Sequence, residues 1–266
     1  MSDTSPIGVF DSGIGGLTVL KEIRHLLPQE SLIYLGDTAR VPYGAKSKET
    51  IVRYSLNNTR LLLGLGVKMV VVACNTASAY ALDELEKITD KPVIGVVEGG
   101  VVAAGRETKG KVGVIGTEAT IRSGSYCNAI RNRFHGVEVI SKPCPLFVSL
   151  VEEGWTDNGV ASAVADEYLA ELRGKVDTLV LGCTHYPLLK GVIGKTLGEN
   201  VKLIDSAKET AKIVAKRLGD LKIENNSGKE GSLRFMVTDS PERSVRIGDR
   251  ILGEKMISSA ELVDII

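Results

Sequence analysis

Short apolar runs, mostly of β-branched residues, alternate along the chain with longer stretches in which apolar residues recur every three or four positions. Runs of the first kind are typical of strands buried on both faces of a parallel sheet, and stretches of the second kind predict amphipathic helices. The pattern predicts strands at 7–10, 31–36, 69–74, 92–97, 111–116, 137–140, 178–182, 201–205 and 233–238. It predicts helices at 17–26, 47–65, 77–88, 120–134, 160–172, 207–218 and 243–252. Such alternation indicates an α/β fold with central, mostly parallel sheets.

Two of the predicted strands lead into a cysteine. The apolar run 69–73 is followed by Cys74, and the run 178–182 is followed by Cys183. Residues that form hydrogen bonds come directly after each cysteine: Asn75, Thr76, Thr184 and His185. Open α/β sheets bind ligands outside the carboxyl ends of their strands, so both cysteines are expected at a ligand site. The Asn-Thr pair after the first cysteine is expected to cap the next helix.

The two cysteine strands belong to a weak internal repeat. The strand and polar turn that open at Ile7 resemble those that open at Val112, and a cysteine follows after 67 residues in the first case and 71 in the second. We therefore predict two similar α/β domains, related by a pseudo-two-fold axis, with the active site in the cleft between them. The expected first domain comprises 1–97 and 208–266, and the second comprises 98–207.

Charge and composition exclude several classes of partner. The 266 residues contain 33 basic and 33 acidic side chains, so no basic excess attracts nucleic acid or an anionic membrane. No stretch approaches the ~20 apolar residues that span a bilayer. The first residues show no basic segment followed by an apolar one, so no secretory signal is predicted. We expect a cytosolic protein without nucleic-acid or membrane partners.

The four cysteines do not indicate a disulfide framework or a metal site. No two of them lie at the C-x₂₋₄-C spacing of zinc sites or in the C-x-x-C motif of redox pairs. The chain has only three histidines, so we expect no metal site. Cys127 and Cys144 match no motif and are predicted to be structural, and His25 and His135 are predicted to lie on the surface.

Two interpretations of Cys74 and Cys183 remain open from the residues alone. Buried free cysteines are often inert. Two thiols on opposite sides of a cleft could instead remove a proton from one face of a carbon and return one to the other, since a thiol has a reference pKa of ~8.5. Asp11, Glu152 and His185 are expected at the same rim of the sheets, where they could tune the thiols or relay protons.

Two turns are candidate binding elements. Asp11-Ser12-Gly13-Ile14-Gly15-Gly16 joins a strand to a helix, where free backbone N–H groups often bind an anion. It lacks the nucleotide pattern G-x-G-x-x-G and the lysine of a P-loop, so a carboxylate or a small zwitterion fits better than a nucleotide. The alternative is a tight turn with Asp11 as a cap. Pro42 and Gly44 hold Tyr43 in a stiff turn, where it could bind substrate or cover the core.

Four sequence blocks together resemble the signature blocks of the glutamate racemase family, in the family's order and over essentially the whole chain. The blocks are Asp11-Ser12-Gly13-Ile14-Gly15-Gly16, Pro42-Tyr43-Gly44, Ala73-Cys74-Asn75-Thr76 and Gly182-Cys183-Thr184-His185-Tyr186-Pro187. One departure is Gly99, where the family often has a proline after the residue equivalent to Glu98. That difference concerns the stiffness of the interdomain connection.

The resemblance implies a cofactor-independent isomerase that interconverts L- and D-glutamate and supplies D-glutamate for bacterial peptidoglycan. It implies that Cys74 removes the α-proton of D-glutamate and Cys183 that of L-glutamate, and that Asp11, Glu152 and His185 assist the thiols. It further implies a homodimer. The implied substrate-binding residues are Asp11, Ser12, Tyr43, Gly44, Asn75, Thr76, Thr184 and His185.

Three other functions are weighed against this one. The first is a related racemase that acts on aspartate or a hydantoin. The second is a two-domain protein that binds an amino acid without catalysis and would tolerate loss of both thiols. The third is a cysteine hydrolase that uses Cys183 with His185, which would leave Cys74 without a task.

Overall fold

The chain forms ten strands and eleven α-helices within residues 3–253 and 255–265, which the computed structural model describes. The strands are β1 (Ile7–Asp11), β2 (Leu32–Gly36), β3 (Met69–Val72), β4 (Val93–Gly95), β5 (Lys111–Gly116), β6 (Glu138–Pro143), β7 (Thr178–Gly182), β8 (Lys202–Ile204), β9 (Leu233–Val237) and β10 (Glu261–Leu262). The helices are α1 (Leu17–Leu26), α2 (Lys48–Gly64), α3 (Asn75–Glu86), α4 (Val96–Glu107), α5 (Glu118–Ser123), α6 (Ser125–Arg133), α7 (Leu146–Glu153), α8 (Gly159–Leu169), α9 (Lys190–Leu197), α10 (Ser206–Leu221) and α11 (Pro241–Leu252).

Two parallel sheets repeat one topology. The first sheet has the order β10-β9-β2-β1-β3-β4, and the second has the order β6-β5-β7-β8. The inner order of the first sheet, β2-β1-β3-β4, is therefore that of the second, and every pairing given for the two sheets is parallel. The predicted α/β fold and the predicted repeat are confirmed. The late strands β9 and β10 extend the first sheet, as expected for elements that pack on the first unit.

Strand register places the two cysteines at equivalent positions. Ile7 pairs with Met69, and Val112 pairs with Thr178. Cys74 follows Met69 by five residues, and Cys183 follows Thr178 by five residues. Each thiol thus stands just beyond the carboxyl end of the strand next to the opening strand of its sheet, Cys74 two residues after β3 and Cys183 directly after β7. Ligands of open α/β sheets bind at this crevice, where the strand order reverses.

The buried cores change within one residue of the predicted domain limits. Val96, at the start of α4, packs in the core of the first sheet, whereas Val97 and Val101 pack with strand residues of the second sheet. Ala207 and Ala211 of α10 return to the core of the first sheet. We therefore propose the predicted limits, 98 and 207, to within one residue.

Three local predictions were wrong. The strand predicted at 92–97 ends at Gly95, where its pairing with the end of β3 stops, and Val96 already starts α4. The single helix predicted at 120–134 is two helices, since Gly124 has a left-handed φ of 68° that ends α5. The cap of α3 is neither Asn75 nor Thr76 but Cys74, whose Sγ accepts a hydrogen bond from the N–H of Ala77.

No helix among the described residues is long and apolar enough to cross a membrane.

Candidate active site

The glycine-rich turn after β1 surrounds the buried carboxyl group of Asp11. Asp11 is 1% exposed, and its Oδ2 accepts a hydrogen bond from the N–H of Gly13 at 3.0 Å. Gly16 lets the turn pass close to this side chain, because a Cβ there would lie 2.7 Å from Cβ of Asp11. Burial raises the pKa of Asp11, while His185 and the backbone N–H groups of the turn act in the opposite sense. Oδ1 accepts no hydrogen bond from any described residue.

The Cys74 thiol lies against this turn. Its Sγ donates to the hydroxyl of Ser12 at 3.5 Å and accepts from the N–H of Ala77 at 3.5 Å. Burial raises the pKa of Cys74 to about 12, and the carboxylate of Asp11 contributes in the same direction. Cys74 therefore carries its proton at neutral pH when no substrate is bound, which suits a group that donates a proton.

The Cys183 thiol lies next to the imidazole of His185, which in turn lies next to the carboxylate of Glu152. Its Sγ lies 3.8 Å from Nδ1 of His185, and Nε2 of His185 lies 3.4 Å from Oε1 of Glu152. Burial alone would lower the pKa of His185, but Cys183, Glu152 and Asp11 together raise it to about 10. The His185 contact also holds the pKa of Glu152 below its usual range, although burial opposes this. The three side chains thus form a line along which a proton can be held near the thiol.

The two units pack against each other where these groups meet. A Cβ at Gly15 would lie 2.4 Å from Oγ1 of Thr184 and 2.6 Å from Nδ1 of His185. The turn of the first unit therefore packs directly on the residues that follow Cys183. Asp11 and His185 influence each other's pKa across this contact. The site thus presents a thiol from each unit, with a carboxyl group and an imidazole between them.

Asn75 and Thr76 also contact the second unit. Oδ1 of Asn75 accepts a hydrogen bond from the hydroxyl of Tyr126 at 2.6 Å. The hydroxyl of Thr76 lies 2.9 Å from that of Thr117 and 3.0 Å from that of Thr120. All of these side chains are buried, so the first turn of α3 is tied to the second unit by polar contacts.

Tyr43 is placed differently from the other predicted binding residues. It is 1% exposed, and its hydroxyl donates to Oδ2 of Asp37 and accepts from Nδ2 of Asn58 at 3.1 Å. Burial raises the pKa of Tyr43 well above its usual value, and Asp37 adds to this. The side chain therefore anchors the turn from inside. The neighbouring Gly44 packs on the second unit, since a Cβ there would lie 2.5 Å from Cβ of Thr117.

The second unit supplies partners to the site that no sequence block indicated. Thr117, Thr120 and Tyr126 match none of the four blocks. A signal for Thr117 existed, because the repeat that aligns Ile7 with Val112 makes Thr117 the counterpart of Ser12. No comparable signal pointed to Tyr126, whose position depends on how α6 packs.

The remaining cysteines and histidines lie away from these contacts. Cys144 is fully buried, and Cys127 is half-buried on α6. His25 and His135 are exposed, as predicted. Within 3–253 and 255–265, no three His, Cys, Asp or Glu side chains are grouped so that they could hold a metal ion.

A thiol at the same position of two matching sheets, with acid and imidazole groups beside it, provides the groups of a proton-transfer site. A model of the Asp/Glu/Hydantoin racemase family matches residues 7–214. The chain belongs to this family.

Three proteins similar to this chain are glutamate racemases. A glutamate racemase of Geobacter metallireducens is 56% identical over 94% of this chain and 93% of its own length. A glutamate racemase of Aquifex aeolicus is 52% identical over 94% of this chain and 95% of its own. The crystal structure of glutamate racemase from Francisella tularensis, in complex with D-glutamate, has a TM-score of 0.93 and 42% identity, and the match covers 99% of this chain and 98% of that one.

Proposed function

We propose that the chain interconverts L- and D-glutamate without a cofactor, by two-base proton transfer at Cα. The observation that carries the proposal is the matched placement of Cys74 and Cys183, each five residues beyond an equivalent position of its sheet. The relatives that cover nearly the whole chain are glutamate racemases, and D-glutamate is bound in the Francisella structure. A cell that makes peptidoglycan would use the D-glutamate.

The proposed reaction needs one thiolate and one thiol at a time. With L-glutamate, the Cys183 thiolate takes the proton from Cα, and the Cys74 thiol returns one to the opposite face. With D-glutamate the roles reverse. The raised pKa of Cys74 supports its role as the proton donor in the first direction. His185 lies close enough to Cys183 to exchange a proton with it, while Asp11 would serve the same purpose beside Cys74.

The substrate carboxylates require hydrogen-bond donors. Asn75 and Thr76 form the first turn of α3, where backbone N–H groups and the helix dipole favour a negative charge. Ser12, Thr184 and the backbone at Gly44 lie on elements that pack against the same junction. We assign substrate binding to these groups, with His185 and Asp11. For Tyr43 the assignment is limited to its backbone, because its hydroxyl is engaged in the core.

Racemisation of glutamate is tested directly. The purified chain is incubated with L-glutamate or with D-glutamate, no cofactor is added, and the enantiomers are separated by chiral chromatography. Both incubations should reach the same 1:1 mixture. Aspartate is assayed in parallel, because the family includes enzymes for other substrates. Conversion of aspartate but not of glutamate would assign the aspartate reaction instead, and conversion of neither would favour an amino-acid-binding protein.

We further propose that the protein is cytosolic and forms a homodimer. The expectation of a homodimer follows from the family pattern. Sedimentation at several protein concentrations tests the homodimer, for which a single species with the mass of one chain would be the contrary result.

The Glu152→Gln variant should shift the alkaline limit of activity to lower pH. Glu152 is one of three groups that raise the pKa of His185 to about 10, so its charge stabilises the protonated imidazole. In the wild type, that stabilisation is present at neutral pH and is lost as the pH rises through about 10. The pH profile of kcat/KM, recorded for the wild type and for Glu152→Gln, measures the shift. An alkaline limb that stays at the wild-type pH would show that Glu152 does not act through His185.

A further inference from the structure

The side-chain amide of Asn75 has a hydrogen-bond partner among the described residues at only one of its two ends. Asn75 follows Cys74 directly and is 3% exposed. Its Oδ1 accepts a hydrogen bond from the hydroxyl of Tyr126 at 2.6 Å, but no described residue accepts one from its Nδ2. A buried NH₂ group without a partner costs about 1–3 kcal/mol, so its presence in the site indicates an acceptor that arrives with the ligand.

Tyr126 reaches Asn75 from the other unit and is closely held. It is 2% exposed. A Cβ at Gly100 would lie 2.8 Å from its ring, and a Cβ at Gly182, directly before Cys183, would lie 3.2 Å from it. The ring thus fills a space that two glycines leave open, and its hydroxyl has little freedom to move away from Asn75.

The direction of this hydrogen bond decides which end of Asn75 faces the site. A phenol hydroxyl either donates or accepts, and an amide has one end of each kind. Burial raises the pKa of Tyr126, so the phenol keeps its proton. That proton is directed to Oδ1 of Asn75. The NH₂ group is then left to the site.

We propose that Tyr126 is a positioning residue, which holds the amide of Asn75 with its NH₂ group turned toward a carboxylate of the bound amino acid. The inference rests on the proposed function, because it concerns the same site. With the amide reversed, the carbonyl oxygen would face the carboxylate and repel it. A residue of the second unit would in this way decide which end of the Asn75 amide, in the first unit, faces the substrate.

The Tyr126→Phe variant should keep the fold and weaken substrate binding. The phenylalanine ring fills the same space, but Oδ1 of Asn75 loses its donor and the amide can turn around. A hydrogen bond to a charged group contributes about 1.5–3 kcal/mol, so kcat/KM should fall about tenfold or more for both enantiomers. The fall should appear mainly in KM, and the melting temperature should change no more than in a matched control.

Tyr168→Phe supplies that control, because its hydroxyl accepts a hydrogen bond from the N–H of Leu146 on the second unit. Its kcat/KM should remain at the wild-type value. The double variant Tyr126→Phe/Asn75→Ala should be no worse than Asn75→Ala alone, since Tyr126 is expected to act only through Asn75. Effects that multiply in the double variant, or a Tyr126→Phe variant with wild-type kinetics, would overturn the inference.

A second substitution keeps the test decisive if Tyr126→Phe does not fold. Asn75→Asp preserves the acceptor for Tyr126 but replaces the NH₂ group by an oxygen, so KM should rise by more than about tenfold. An unchanged KM would contradict the proposed orientation. Failure of the two proposals remains distinguishable: a wild type that does not racemise glutamate contradicts the proposed function, whereas an active wild type with insensitive variants contradicts only the role of Tyr126.

Discussion

Cys74→Ala and Cys183→Ala are each expected to lower the racemisation rate by about 10³-fold or more in both directions. Each thiol serves one face of Cα, so the loss of either interrupts proton transfer from L- and from D-glutamate alike. General acid–base groups contribute about 10²–10⁴-fold to a rate. Initial rates measured by circular dichroism with each enantiomer test this expectation.

The control for these variants is Cys127→Ala, because Cys127 is half-buried on α6 and belongs to none of the four sequence blocks. It should retain wild-type rates. Cys74→Ala also removes the cap of α3, for which a loss of about 1 kcal/mol of stability is expected. Thermal unfolding separates this effect from catalysis. A single variant that still racemises at close to the wild-type rate would contradict the two-thiol mechanism.

Gly15→Ala is expected to lower kcat/KM by about 10²-fold although it adds only a methyl group. The new Cβ would lie 2.4 Å from Oγ1 of Thr184 and 2.6 Å from Nδ1 of His185, both well inside van der Waals contact. Either His185 moves away from Cys183 or the two units separate, and a displacement of about 1 Å at reacting groups costs roughly that factor. Steady-state kinetics with both enantiomers provide the measurement.

Gly191→Ala is the matched control, since a Cβ at Gly191 in α9 meets no atom within 4 Å. Alanine should be neutral or slightly stabilising there. Both variants should unfold cooperatively, so that the loss in Gly15→Ala is attributable to the site. Wild-type kinetics in Gly15→Ala would show that the close contact between the units is not needed for turnover.

The pattern of apolar residues predicted the sheets well because parallel strands are buried on both faces. The runs 69–73 and 178–182 are continuously buried, and they lead to the two cysteines at equivalent positions. The same pattern could not mark the start of α4. Val96 and Val97 suit a strand as well as a buried helix, and only the packing of the helix decides between them.

The site was predictable where one segment supplies neighbouring residues, as in the turn at Asp11 and in Cys183 with His185. It was not predictable where two distant segments meet. Thr76 contacts Thr117 and Thr120, and Asn75 contacts Tyr126, through the docking of the two units. Tyr43 was open to either interpretation, because burial of its hydroxyl depends on Asp37 and Asn58 elsewhere in the chain.

The most direct test of two-base racemisation is the exchange of the α-hydrogen with solvent in deuterium oxide, followed by proton NMR and optical rotation. L-Glutamate and D-glutamate are incubated separately, with no cofactor added. The two-thiol mechanism predicts that the α-proton signal disappears as optical rotation is lost, and that the enantiomer first formed carries deuterium at Cα. Glutamate that keeps its α-proton and its rotation, or that exchanges without inversion, would contradict it.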